Sequence, residues 1–131
     1  MNKAVVEAKL LELGILDGEY YICGSSAMVI RGIREIAGDI DLCLTRKAFD
    51  ELRTRYDVKP SDKEDYENLY KIDNQIEFFV VESDKLNFEY AHGWPLEDIH
   101  VLLDFKLKRN AEKDKIDVIN IRKYLEEHGK K

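Results

Sequence analysis

The sequence predicts one α+β domain in which a mixed β-sheet packs against helices and the C-terminal segment is helical. Two observations support this fold class. Short runs rich in β-branched and aromatic residues alternate with helical patterns as far as about residue 81, and from about residue 96 the hydrophobic spacing is helical. The chain has 131 residues, the length of one ordinary domain, so residues 1–131 are expected to share one hydrophobic core.

The first half of the chain is predicted to alternate helices with short strands. Val6, Leu10 and Leu13 form a helical stripe, and Gly14 is a typical residue for ending that helix. The predicted elements are a helix over residues 2–13, a strand over 20–23, a turn at Gly24-Ser25-Ser26, a helix over 27–33, a strand over 40–44 and, after the capping Thr45, a helix over 46–56.

The second half is predicted to hold a β-hairpin followed by two long helices. Asp73-Asn74 separates two apolar runs and is a suitable hairpin turn. The predicted elements are a polar loop over residues 60–65, strands over 69–72 and 75–81, a loop at Trp94-Pro95, and helices over 96–109 and 112–127.

The composition is typical of a soluble globular protein, with 44% hydrophobic and 37% charged residues. No apolar run approaches the roughly 18 residues of a membrane helix, and the N-terminus lacks a signal-peptide pattern. Cys23 and Cys43 lie in apolar segments, which favours a reduced, cytoplasmic protein. The net charge of −6 argues against extended contact with a nucleic-acid backbone, but it is compatible with a nucleotide substrate because a bound divalent cation reverses the charge of a site locally.

Asp39 and Asp41 are the first candidate site residues. Side chains alternate along a strand, so both carboxylates lie on one side, about 7 Å apart at their Cα atoms, while Ile40 faces the other side. Two like charges at that distance favour a bound cation, and Mg²⁺ commonly takes one or two carboxylates together with substrate phosphates. The alternative is a strand edge with solvated acidic side chains.

The turn Gly24-Ser25-Ser26 is the second candidate. It stands between a strand and a helix, where backbone N–H groups and hydroxyls can bind phosphate oxygens. An ordinary turn with a serine cap explains these residues equally well in isolation. The combination is more specific, because the turn, one helix and a strand with paired aspartates bring phosphate-binding groups and metal ligands to the same end of two strands.

These residues resemble a known superfamily. The motifs G-S-S-A at residues 24–27, R-G-I-R at 31–34 and G-D-I-D-L at 38–42 are similar to those of the nucleotidyltransferases related to the DNA polymerase β palm. The resemblance is strongest to small bacterial members, of the lincosamide, aminoglycoside and abortive-infection types. It runs from about residue 13 to residue 125 and includes the tail L-L-D-F-K-L-K-R-N-A-E-K-D-K-I-D-V-I at 102–119.

The resemblance implies a nucleotidyltransferase-like fold with two Mg²⁺ ions held by the D-x-D pair and a third carboxylate on a later strand. It assigns the third position to Glu77, where the superfamily more often has Asp. The alternatives are a structural ion pair at Glu77, or Asp73 as the ligand, although Asp73 suits the hairpin turn better. The resemblance also implies that Lys106 approaches the nucleotide phosphates and that Lys113 and Asp114 form a supporting pair, the alternative being exposed charges on amphipathic helices.

The predicted function is Mg²⁺-dependent transfer of a nucleoside monophosphate from a nucleoside triphosphate, ATP among the candidates, to a hydroxyl acceptor with release of pyrophosphate. Small-molecule, tRNA and protein acceptors all stay open. The alternative function is a toxin–antitoxin or phage-defence component of the same fold that acts mainly by binding protein or tRNA, with or without catalysis. The chain is short, so a homodimer or a partner protein is expected to complete the acceptor site.

Overall fold

A computed structural model of the protein describes residues 1–61 and 68–129. Within these ranges the chain forms five α-helices and one seven-stranded mixed sheet, which confirms the predicted α+β class. The helices are α1 (Lys3–Leu13), α2 (Gly24–Arg31), α3 (Arg46–Arg53), α4 (Ile99–Arg109) and α5 (Glu112–Glu127). The strands are β1 (Tyr20–Cys23), β2 (Ile40–Thr45), β3 (Lys59–Pro60), β4 (Leu69–Asp73), β5 (Ile76–Val81), β6 (Phe88–Ala91) and β7 (Trp94–Glu97). No helix in the described part of the chain is long and apolar enough to cross a membrane.

The strand order is β3-β4-β5-β2-β1-β7-β6. β1 runs antiparallel to β2, while β2 runs parallel to β5 and β1 runs parallel to β7. The four neighbouring strands β5, β2, β1 and β7 therefore come from distant parts of the sequence.

One face of the sheet forms the hydrophobic core. Ile22, Leu42, Phe78 and Leu96 are fully buried on neighbouring strands of this face. α1, α2 and α3 cover it with apolar side chains, namely Val6, Leu10, Leu13, Ala27, Ile30, Ala48, Phe49 and Leu52. Because side chains alternate along each strand, the residues next to these core positions face the opposite side of the sheet.

The two C-terminal helices pack against each other and against α2. Their apolar contacts form a second cluster made of Met28, Ile99, Leu102, Ile121, Tyr124 and Leu125. α4 begins after Asp98, whose side chain accepts hydrogen bonds from the backbone N–H groups of His100 and Val101.

The structure corrects the prediction around Trp94. The predicted loop at Trp94-Pro95 and the first residues of the predicted helix over 96–109 form β7, and α4 begins only at Ile99. β6 was not predicted at all. β7 forms because Leu96 completes the core beside Ile22 of β1 and β6 pairs with its other edge. These tertiary contacts override a weak local pattern.

Other predicted boundaries shift by a few residues. The turn at residues 24–26 is the first turn of α2, and this helix ends at Arg31, before Gly32 in the left-handed region, rather than at residue 33. α3 ends at Arg53 instead of residue 56. In the predicted loop over 60–65, Pro60 belongs to the edge strand β3, and residues 62–65 lie outside the described residues.

Candidate functional site

Asp41 and Glu77 lie side by side on the face of the sheet opposite the core. β2 and β5 are adjacent parallel strands, and their register pairs Asp41 with Glu77 directly. Neighbouring strands are about 4.8 Å apart, so the two carboxylates leave the sheet close together. Glu77 is 8% exposed, and its Oε2 accepts a hydrogen bond of 3.3 Å from the Ser61 hydroxyl. The register also places Lys71 of β4 opposite Glu77, which gives this pair a nearby positive charge.

The glycine turn adjoins Asp41 directly. Gly24 has a φ of +63°, and a Cβ atom at this position would lie 3.0 Å from Oδ2 of Asp41. The Ser26 hydroxyl oxygen accepts a hydrogen bond of 3.2 Å from the Asp41 backbone N–H and donates one of 2.9 Å to the Cys23 carbonyl. The start of α2 and the second aspartate of the predicted D-x-D motif are thus joined by direct contacts.

Asp39 and Ser25 lie at the edges of this arrangement. Asp39 is partly exposed and immediately precedes β2, because the Ile40 N–H donates to the Gln75 carbonyl at 2.7 Å and starts the ladder with β5. Ser25 is partly exposed in the first turn of α2. The structure therefore brings Gly24, Ser26, Asp41 and Glu77 together, and places Asp39 and Ser25 one or two residues from them along the chain.

Lys106 lies in a buried ion-pair network between α4 and α5. Its Nζ is 3.0 Å from Oδ2 of Asp117 and 3.5 Å from Oδ1 of Asp114, and its side chain is 7% exposed. Arg109 donates two hydrogen bonds to the Asp114 carboxylate, of 2.8 and 2.5 Å. The Arg109 guanidinium holds the pKa of Asp114 well below its ordinary value. In the described part of the chain, Asp114 thus pairs with Arg109 and Lys106, whereas the sequence suggested Lys113.

Glu97 is the site residue that the sequence analysis missed. Its Oε1 accepts a hydrogen bond of 3.2 Å from the Gly24 N–H, at the start of α2. Burial raises the pKa of the Glu97 carboxyl, and the Gly24 N–H and the positive charges of Arg31 and Lys106 oppose this rise. The available signal was the alternation over four residues that ends at Leu96 and Glu97, too short to separate a strand from the start of a helix.

Two thiols and a phenol lie beside these carboxylates. Cys43 pairs with Tyr21 across β1 and β2, and Cys23 pairs with Asp41, so the three side chains share the face of Asp41. The pKa of the Cys43 thiol is lowered, first by a hydrogen bond with Cys23, although burial acts in the opposite direction. The pKa of Cys23 is raised well above its ordinary value by the same hydrogen bond and by burial. Both cysteines are free thiols.

The chemistry of the donor set fits a hard divalent cation. Asp41 and Glu77 offer carboxylate oxygens from adjacent strands, and Asp39 stands two residues away. Over residues 1–61 and 68–129, no group of three or more His, Cys, Asp or Glu side chains is arranged to hold a metal ion. Mg²⁺ commonly takes one or two protein carboxylates and fills its other positions with water and phosphate oxygens, so this pair meets the usual requirement.

Comparison with known proteins finds a likeness in fold to a solved structure, without a match in sequence. No family model matches the chain, and no curated protein matches it in sequence. The crystal structure of JHP933 from Helicobacter pylori is similar in fold, with a TM-score of 0.59 and 16% sequence identity over 98% of this chain and 69% of that one. At this identity the likeness shows a shared fold alone.

Proposed function

We propose that this chain is a nucleotidyltransferase that transfers a nucleoside monophosphate from a nucleoside triphosphate to a hydroxyl acceptor. One observation supports the proposal above all others: the Gly24 turn lies against Asp41, whose register partner is Glu77. The motif resemblance requires a glycine-serine turn, the D-x-D pair and a third carboxylate, and here the turn contacts the second aspartate of that pair, which adjoins the proposed third carboxylate. The mixed sheet with α2 between β1 and β2 also suits a nucleotidyltransferase-like fold.

In this proposal Asp41 and Glu77 would hold Mg²⁺, and Asp39, two residues before Asp41, would join them in the bound state. A cation held there would lower the pKa of the acceptor hydroxyl and stabilise negative charge on the leaving oxygens. Gly24 and Ser25 would bind the β- and γ-phosphates through backbone N–H groups and the Ser25 hydroxyl at the start of α2. Ser26 is fully buried, and its hydroxyl already bonds to the Cys23 carbonyl and the Asp41 N–H, so it would hold the turn in place for these contacts. The acceptor oxygen forms a bond to the α-phosphorus, the α–β phosphoanhydride bond breaks, and pyrophosphate leaves while the acceptor loses its proton.

Lys106 has a supporting place in this proposal. Because its ammonium pairs with Asp117 and Asp114, it stabilises the α4–α5 pair rather than standing ready for a phosphate in this conformation. Its charge also acts on Glu97, which contacts the glycine turn. Lys106 is therefore proposed to influence nucleotide binding through the shape and charge of the turn.

Titration calorimetry of the four Mg²⁺–nucleoside triphosphates tests the proposal. The wild type should bind at least one of them, and the double variant Asp39→Asn/Asp41→Asn should bind it at least tenfold more weakly, as expected when a metal's ligands or their supports are removed. Asp73→Asn is the matched control, because Asp73 lies in the exposed hairpin turn and an asparagine can still accept the Gln75 N–H. Absence of binding by the wild type, or equal binding by the double variant, would refute the proposal.

A second candidate function, binding to another protein molecule, is favoured by one surface. A cavity of about 590 Å³ lies between residues 32–36 and α5. Ile36 and Ile116 line it and are 63% and 64% exposed, an unusual position for large apolar side chains. A second copy bound here would contact the segment 32–36, which lies a few residues before Asp39 in the chain.

Light scattering over a range of protein concentrations tests this second candidate. The wild type should approach the mass of a dimer, and Ile36→Glu/Ile116→Glu should stay a monomer, because a charge on each side of the cavity opposes apolar contact. A wild type that stays monomeric at every concentration would contradict it.

A further inference from the structure

The Glu97 carboxylate accepts the hydrogen bond of the Gly24 N–H, a donor that a bound polyphosphate would need. The Gly24 N–H is the first backbone donor of α2, and in this conformation it donates to Oε1 of Glu97 at 3.2 Å. Oδ2 of Asp41 is also close, since a Cβ atom added to Gly24 would lie 3.0 Å from it. A phosphate oxygen added here would meet two carboxylates, so it must displace one of them to reach the N–H.

Arg31 offers the displaced carboxylate an alternative partner. Its guanidinium is buried, and Nη1 donates to the Glu97 backbone carbonyl at 2.9 Å while Nη2 pairs with Glu89 at 2.5 Å. The Arg31 Nε–H is also buried, and it has no hydrogen-bond acceptor among the described residues. A buried donor without an acceptor is unfavourable, and this one belongs to the side chain that already binds the Glu97 backbone.

We infer that Glu97 is a gate for the glycine turn: its carboxylate competes with polyphosphate for the Gly24 N–H and turns to the Arg31 Nε–H when polyphosphate binds. The inference rests on the proposed role of the turn in binding phosphates. In the closed state the Glu97 carboxylate weakens binding of any polyphosphate, with or without a nucleoside. The switch exchanges one hydrogen bond for another and moves one side chain.

Binding of inorganic tripolyphosphate with Mg²⁺, measured by calorimetry, tests the gate. Glu97→Gln keeps the size of the side chain and removes its charge, so its hold on the Gly24 N–H becomes that of a neutral acceptor. Charged hydrogen bonds are about 1 kcal/mol stronger than neutral ones, and this difference is lost at the Gly24 N–H. The variant also loses its charged bond to the Arg31 Nε–H in the open state, but removing the negative charge relieves its repulsion of the bound polyphosphate, which offsets that loss. Glu97→Gln should therefore bind tripolyphosphate roughly fivefold more tightly than the wild type. Asp98→Asn is the matched control: it removes one negative charge from the neighbouring residue and keeps the α4 cap, and its affinity should equal that of the wild type.

Three results would overturn the gate. If Glu97→Gln binds tripolyphosphate as tightly as the wild type, the contact between Glu97 and Gly24 is merely structural. If the variant binds it more weakly and only in a Mg²⁺-dependent way, Glu97 is a metal ligand. If neither protein binds it, there is no anion site at this turn. The variant is expected to fold, since Arg31 keeps Glu89 and Lys106 keeps Asp117 as counter-charges.

A second measurement on the wild type needs no substitution. The ¹⁵N-edited NMR signal of the Arg31 Nε–H should move as tripolyphosphate saturates the protein, because this donor gains an acceptor. An unmoved signal at saturation would overturn the gate. Tripolyphosphate carries no transferable nucleotide, so a tighter Glu97→Gln variant, with no effect of Asp39→Asn/Asp41→Asn on triphosphate binding, would refute the proposed function and leave the gate standing.

Discussion

Replacing Gly24 with alanine separates the backbone role of this glycine from its contact with Asp41. Two effects are expected. Gly24 has a φ of +63°, a conformation that L side chains rarely adopt, so a Cβ atom strains the backbone. The same Cβ would lie 3.0 Å from Oδ2 of Asp41, so the carboxylate must move by a few tenths of an ångström. Gly32, at the other end of α2, has a φ of +79° with nothing within 4 Å of its Cβ position, so Gly32→Ala has the first effect without the second.

The two effects differ in size and in what they change. The left-handed conformation costs an alanine about 1–2 kcal/mol, and reduced freedom of the unfolded chain offsets roughly 0.4–1 kcal/mol. Both variants should therefore lose about 1 kcal/mol of unfolding free energy, or about 4 °C in melting temperature for a chain of this length. Displacing a carboxylate that supports a metal typically lowers metal affinity by about 10–100-fold, and this loss is expected for Gly24→Ala alone.

Thermal denaturation and titration with Mg²⁺–triphosphate measure the two effects on the same samples. The expected pattern is an equal loss of melting temperature in both variants and a loss of triphosphate affinity in Gly24→Ala only. Equal affinities in the two variants would refute the reasoning, because the contact with Asp41 would then have no bearing on binding.

Two further predictions concern stability. Asp114→Asn should cost roughly 3 kcal/mol of unfolding free energy near pH 7, because Arg109 and Lys106 lose a buried partner. The pKa of Asp114 is lowered in the folded protein, so its ionised form stabilises the fold above the pKa of the unfolded chain. Urea denaturation should therefore show the full difference between wild type and variant above about pH 4, and a smaller difference at lower pH. Phe78→Ala should cost about 3–5 kcal/mol by the same measurement, because Phe78 is fully buried on the core face of the central sheet, and a loss below about 1 kcal/mol would contradict that placement.

The parts of the fold that the sequence predicted have strong local patterns. α1 has its buried residues at helical spacing, and β2 and β5 combine a short apolar run with β-branched residues. β6 and β7 lack such signals. Each has four residues, and β7 contains a proline. The two strands are stabilised by pairing with each other, and β7 also pairs with β1. Pairing between strands that are distant in sequence leaves no trace in a local window, so the loop predicted at Trp94-Pro95 was wrong.

The candidate site divides in the same way. The approach of Gly24 to Asp41 follows from connectivity, because one short helix and one loop separate antiparallel neighbours and return the chain to the same sheet edge. The pairing of Glu77 with Asp41 needed the register of β2 against β5, which the sequence restricts only by the alternation of faces. The partners of Lys106 lie on another helix, so helical spacing alone suggested a charged surface where the structure has a buried ion-pair network.

The negative charges of Asp41, Glu77 and Glu97 indicate how binding of a cation and opening of the gate are linked. Two carboxylates about 5 Å apart repel each other by roughly 3 kcal/mol at an effective dielectric constant near 20. A divalent cation shared by Asp41 and Glu77 relieves this repulsion. A polyphosphate that accompanies this cation competes with Glu97 for the Gly24 N–H. The bound cation and the bound polyphosphate therefore favour each other. The affinity for tripolyphosphate should rise more steeply with Mg²⁺ concentration in the wild type than in Glu97→Gln, where the competing charge is absent. Equal steepness would mean that the carboxylate pair and the gate act independently.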